Sequence, residues 1–134
     1  ICACLVGSEM CIRDSLPIKY VVLDTKTGRT GRYLAAFRGR KTVMAVCYQL
    51  HAQRILALSY GVVPILRNQE LSDRYHFLVD ALEFLDQYSK LADDDLLAIV
   101  GGSFGPDGGA SYVEIANVDN IRRRNEEIVA AQKC

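Results

Sequence analysis

Neither sign of charge is in excess: 16 Lys and Arg balance 16 Asp and Glu over the 134 residues. A phosphate backbone demands a basic field, so nucleic acid is not an expected partner, and an anionic membrane surface is not one either. Long hydrophobic runs are also lacking, since no stretch approaches the roughly 18 apolar residues of a spanning helix. The first residues show no charged segment followed by an apolar core, so no secretory leader is expected. Histidine is scarce. His51 and His76 stand alone, without a partner at ligand spacing, and are read as surface or helix-edge side chains. Five cysteines include no CxxC pair, and Cys47 lies in an apolar run as a small buried hydrophobe. A reduced, cytoplasmic setting is the expectation.

Half of the residues are hydrophobic and 24% are charged, the balance of one ordinary globular domain. Residues 1–15, ICACLVGSEMCIRDS, hold three of the cysteines and fit neither helical nor strand periodicity. They resemble a translated sequencing-adapter read-through and are set apart as a non-native segment, the alternative being an ordinary N-terminal segment. The chain begins with Ile1, so further sequence upstream is expected. The domain is expected over 16–118, with 119–134 a short C-terminal tail.

Beyond Pro17 the pattern becomes regular. IKYVVLD (18–24) reads as a buried strand, and YLAAFRG as a helix stopping near Gly39. TVMAVCY (42–48) is a second strand, followed by a helix over 49–60 with Leu50, Ile55, Leu56 and Leu58 as its apolar positions. GVVPIL (61–66) is a third strand, placed at a sheet edge because Pro64 cannot donate to a central ladder. Ser72 is the expected N-cap of a helix over 73–90, striped by Tyr75, Leu78, Leu82 and Leu85 and broadened by Val79 and Phe84. DLLAIVGG (95–102) and ASYVEIANV (110–118) complete the strands. Alternating strands and helices predict an α/β fold with a mainly parallel sheet covered on both faces. The link between the last two strands is too short for a parallel crossover, so the fifth runs antiparallel. In the tail, Arg122, Arg123 and Arg124 stand at spacings that allow helical ion pairs with Glu126 and Glu127.

Two loops can carry function. Thr25, Lys26, Thr27, Gly28, Arg29 and Thr30 lie where the first strand hands over to a helix. First-turn N–H groups lack internal partners and the helix dipole favours an anion there. Gly28 permits close backbone approach, the three threonines supply hydroxyls, and Lys26 and Arg29 supply charge, a set suited to a phosphate monoester. The plainer alternative is a polar turn in which a threonine caps the helix. The second loop, residues 101–109, holds five glycines in nine positions. The plainer alternative is a flexible hairpin; the functional one is that Gly102, Ser103, Phe104, Gly105, Asp107 and Gly108 close over a ligand held by the first loop, provided that strands one and four are neighbours at a switch point. It is not a Walker A sequence, and GGSFG fails as a nucleophile elbow because a strand follows it. Asp93, Asp94 and Asp95 read as a solvated turn, not a metal site.

The run VVLDTKTGRTGRYLAAFRGRKTVMAVCYQLHAQRILALSYGVVPIL resembles the pyruvate kinase C-terminal domain. That family carries a TxSGRT-like turn, a helix ending in R-x-R/K, a PIxAVT-type strand and a helix leading to GVxPxL. The likeness continues through DDLLAIVGGSFG to about residue 118, roughly three-quarters of the chain. It implies a three-layer α/β/α unit with strand order 3-2-1-4-5 and the last strand antiparallel. It implies a sugar-phosphate or nucleotide monophosphate effector on residues 25–30, with Gly102–Gly108 as the effector loop. Its other implied partners are the enzyme's own barrel domain and fellow subunits in a homotetramer. Phosphoryl transfer from phosphoenolpyruvate to ADP, with Mg2+ and K+, belongs to that barrel, so no catalytic residue and no cofactor is assigned within this chain. Members regulated by fructose 1,6-bisphosphate have a Trp-Arg-Pro-Gly-Ser-Gly-like loop where this chain has Gly102 to Gly109, without Trp or Arg. A bisphosphate therefore finds no second cation, and a monophosphate sugar, AMP or no effector remain open. The alternatives are a free-standing small-molecule-binding domain of the same fold, and a serine hydrolase using Ser103.

Overall fold

The computed structural model describes residues 15–67, 76–102 and 110–133. Five strands form one sheet: β1 (Ile18–Thr25), β2 (Val43–Cys47), β3 (Val62–Leu66), β4 (Leu96–Gly102) and β5 (Ala110–Asn117). Their order is β3-β2-β1-β4-β5, with β4 and β5 antiparallel and the other pairs parallel. Helices α1 (Arg29–Ala36), α2 (Leu50–Ala57), α3 (His76–Tyr88) and α4 (Val118–Gln132) cover it. The expected α/β architecture is observed.

Side-chain alternation builds two cores. Val21, Leu23, Ala45, Cys47, Ala98 and Val100 face one way, under Leu34 of α1 and Ala52 and Leu56 of α2. Val22, Met44, Val46, Leu97 and Ile99 face the other way, under Phe77, Leu78, Ala81, Leu82 and Leu85 of α3 and Ile121 of α4. All five β2 residues are buried, as a central strand covered on both faces must be. Pro64 lies on β3, which among the described strands is at the sheet edge and bonded to β2 alone, opposite Ala45. The edge reading of this proline holds.

The helices depart from their expected spans. The first ends at Ala36, and Arg38, not Gly39, takes the left-handed conformation at φ 47°. In α2 the buried positions are Ala52 and Leu56, whereas Leu50 and the C-cap residue Leu58 are exposed. With eight residues, α2 has room for one inward stripe, and Leu50 and Leu58 fall off it. Val79 of α3 is likewise exposed, while Phe77 and Ala81 join the buried stripe. Ser72 and Tyr75 lie outside the described residues.

The tail is a full helix. Asn117 accepts a hydrogen bond from the Asn120 amide at 3.0 Å, capping α4, and Val118 and Ile121 are fully buried. The three arginines find carboxylates besides Glu126 and Glu127. Arg122 binds Asp86 and Asp93, Arg123 binds Asp119, and Arg124 binds Glu114. At the opposite end from the two loops, Lys19 donates to Asp95 at 2.7 Å, joining β1 to the start of β4. That bond, then one from the Ala92 amide, holds the Asp95 carboxyl below its usual value. The contribution is present at neutral pH and lost as pH falls through the lowered value. Asp93 and Asp95 are thus ion-pair partners in a turn.

Candidate functional site

The turn after β1 owes its shape to Gly28, which opens α1 at φ 82°. A residue with a side chain is strained there. The buried Thr25 hydroxyl accepts from the Gly28 amide at 3.0 Å, and Thr27 Oγ1 accepts from the Arg29 amide at 3.4 Å. Gly28 is the N-cap, without a side-chain cap bond, so no threonine plays that part. Its carbonyl accepts the first helical bond from Arg32 at 3.0 Å. Lys26, Thr27 and Arg29 are exposed, whereas Thr30 is buried. The Arg29 guanidinium lies 6.0 Å from the Tyr33 ring centroid.

Leu56 supports this turn from α2. A Cβ on Gly28 would sit 3.3 Å from Leu56 Cγ, and one on Gly31 only 2.7 Å from Leu56 Cδ2. The two glycines therefore let α1 settle onto the leucine. Strand β1 pairs with β4 in parallel, Leu23 opposite Val100, so the Thr25 turn and Gly102 leave neighbouring strands at their carboxyl ends. This is the switch point of the sheet, where open α/β folds place ligands. Ser103, Phe104, Gly105, Asp107 and Gly108 lie outside the described residues. Gly101 has a packing reason: a Cβ there would meet the Tyr112 hydroxyl at 2.3 Å, with Tyr112 opposite it on β5.

A polar cluster at the same end escaped the reading by sequence. Asp24, the penultimate residue of β1, accepts a hydrogen bond from Tyr48, and its Oδ1 is buried without a partner among the described residues. Arg67, just past β3, pairs with Asp80 of α3, while its Nη1 is buried and likewise unpartnered among those residues. Burial pushes the Asp24 carboxyl up; the Tyr48 bond and the Lys26 charge oppose this. The neutral form is favoured by the fold, so Asp24 contributes stability at low pH that is lost as pH rises through its raised value. Burial, then Asp24, pushes the Cys47 thiol up to about 11, and Tyr48 is driven up by the same two causes. Cys47 is an inert, protonated core residue.

These features define a doubly wound α/β/α domain in which the Thr25 turn and Gly102 leave adjacent strands at a switch point. Residues 6–116 match the family described as pyruvate kinase, alpha/beta domain, and the chain belongs to that family. The match begins inside the segment 1–15 and ends before α4. Residues 1–14 themselves lie outside the described ones. The chain is 29% identical over 113 residues to a pyruvate kinase of Borreliella burgdorferi, covering 82% of this chain and 24% of that protein. It is 26% identical over 108 residues to one of Lactobacillus delbrueckii subsp. bulgaricus, covering 80% and 18%. A third relative, pyruvate kinase 2 of Synechocystis, is 28% identical over 114 residues, covering 84% and 19%. The chain spans about a quarter or less of these relatives' lengths. Among the described residues no helix is long and apolar enough to cross a membrane.

Proposed function

We propose that this chain is the regulatory and assembly domain of a pyruvate kinase, binding a phosphorylated small molecule on residues 25–30. Phosphoryl transfer from phosphoenolpyruvate to ADP belongs to a barrel domain of the same enzyme, in a cytoplasmic homotetramer. The observation that carries the reading is Gly28: its left-handed conformation opens α1 at the switch point beside the exposed Lys26 and Arg29. Thr25 is already engaged with the Gly28 amide, so its part is to shape the turn. Phosphate contacts then fall to the first-turn amides, Thr27, Lys26 and Arg29.

The test is calorimetric titration with ribose 5-phosphate, glucose 6-phosphate, AMP and fructose 1,6-bisphosphate. At least one monophosphate is expected to bind at least as tightly as the bisphosphate. Charge-assisted bonds to phosphate are worth about 1.5–3 kcal/mol, so Lys26→Ala and Arg29→Ala should each weaken binding roughly ten-fold or more. Unchanged affinity in both variants, or no binding by any of the four, rejects the site.

A further inference from the structure

We infer that Asp24 makes anion binding at the Thr25–Thr30 turn proton-linked, the turn holding a dianion more tightly when this carboxyl is neutral. The inference rests on the phosphate reading above and adds its regulation. Asp24 precedes Thr25 by one residue and Lys26 by two, so the carboxylate and an incoming phosphate draw on the same lysine charge. A phosphate on the turn diverts Lys26 and adds negative charge near the Asp24 carboxylate. Both effects favour its protonation.

The surroundings of Asp24 leave it poised for this. Its Oδ1 is buried without a hydrogen-bond partner among the described residues, so the ionised form is under-stabilised. Tyr48 and Cys47 meet it from the end of β2, and burial keeps both protonated. From beyond β3 comes Arg67, and from α3 comes Asp80, paired with each other. That pairing spends much of the Arg67 charge on Asp80 and leaves little for Asp24. By linkage, a turn that prefers a neutral Asp24 must take up protons as it fills. For a dianion taken to sit about 8–10 Å from the carboxylate, an effective dielectric of roughly 60–80 gives a roughly four- to ten-fold change in affinity.

Sulfate is the probe, because its charge stays constant between about pH 5 and pH 8. Wild type is expected to bind it roughly four- to ten-fold more tightly below the titration midpoint of the Asp24 carboxyl than above it. Asp24→Asn should bind above that midpoint as tightly as wild type does below it, with little pH dependence left. His51, exposed in the first turn of α2, is the control, because a histidine can supply a pH slope of its own. His51→Gln should keep the wild-type slope. A slope that survives Asp24→Asn, or vanishes in His51→Gln, overturns the inference. Carbon NMR of the wild-type Asp24 carboxyl gives a readout that needs no variant: saturating sulfate should raise its titration midpoint, and an unmoved midpoint also overturns the inference. Absence of sulfate and phosphate binding at every pH, in wild type and variant alike, rejects the phosphate site itself.

Discussion

Ending the chain after Val118 is expected to remove at least about 4 kcal/mol of stability, enough to abolish a cooperative transition in a domain of ordinary stability. Ile121 has no exposed surface and shares a core with Leu85, Leu97 and Ala116. Deleting a large buried aliphatic side chain costs about 2–5 kcal/mol, and removing the whole helix also bares its neighbours. The ion pairs of Arg122 and Arg124 join partly exposed groups and contribute about 0–1 kcal/mol each. The apolar term therefore decides the outcome. Urea unfolding followed by circular dichroism makes the measurement, with Arg122→Ala, which breaks two such pairs, as a companion expected to lose no more than about 2 kcal/mol. A truncated chain as stable as the full one would show that α4 is peripheral to the second core.

Why α4 reads in sequence as a short tail is a matter of where its contacts go. Its sequence is rich in Arg, Asn and Glu, and among positions 118–125 only Val118 and Ile121 enter the core. Two inward residues do not make a visible stripe. Arg122 and Arg124 find their carboxylates on other elements, at Asp86, Asp93 and Glu114. Spacing within one helix cannot reveal those. The strands were legible for the opposite reason. A strand covered on both faces is apolar throughout, so VMAVC and LLAIV announce themselves. The antiparallel β5 followed from the length of its link, and the edge position of β3 from Pro64.

The candidate site was legible only where it is contiguous. Thr25 to Thr30 form one turn, so six neighbouring letters carried the reading. Even there the roles shifted, because Gly28 rather than a threonine opens the helix, and the Thr25 hydroxyl is spent within the turn. Asp24, Tyr48, Arg67 and Asp80 come from four separate places and meet only once the sheet and α3 are assembled. A signal existed: Asp24 directly follows the apolar run Val21-Val22-Leu23, and Arg67 directly follows β3. A charge at the end of a buried strand asks for a partner, and the sequence does not say which.

Leu56→Ala is expected to destabilise the domain by about 2–5 kcal/mol and to weaken anion binding at a turn that Leu56 supports from α2. The leucine is fully buried and its terminal carbons fill the space that Gly28 and Gly31 leave open. Neither glycine has a side chain to close the resulting cavity, so the cost should fall in the upper half of that range. Leu56→Met keeps the volume and should cost less than about 1.5 kcal/mol. Gly31→Ala alone forces a Cβ to 2.7 Å from Leu56 Cδ2 and to 3.3 Å from Leu23 Cδ2, an overpacking worth about 1–3 kcal/mol. In the Leu56→Ala background the first contact is gone, and alanine is the better helix former by about 1 kcal/mol. The same Gly31→Ala change should then be neutral or stabilising. A double-mutant cycle by urea unfolding would read this as a favourable coupling of about 1–3 kcal/mol. Additive effects would mean that α1 and its turn do not rest on Leu56.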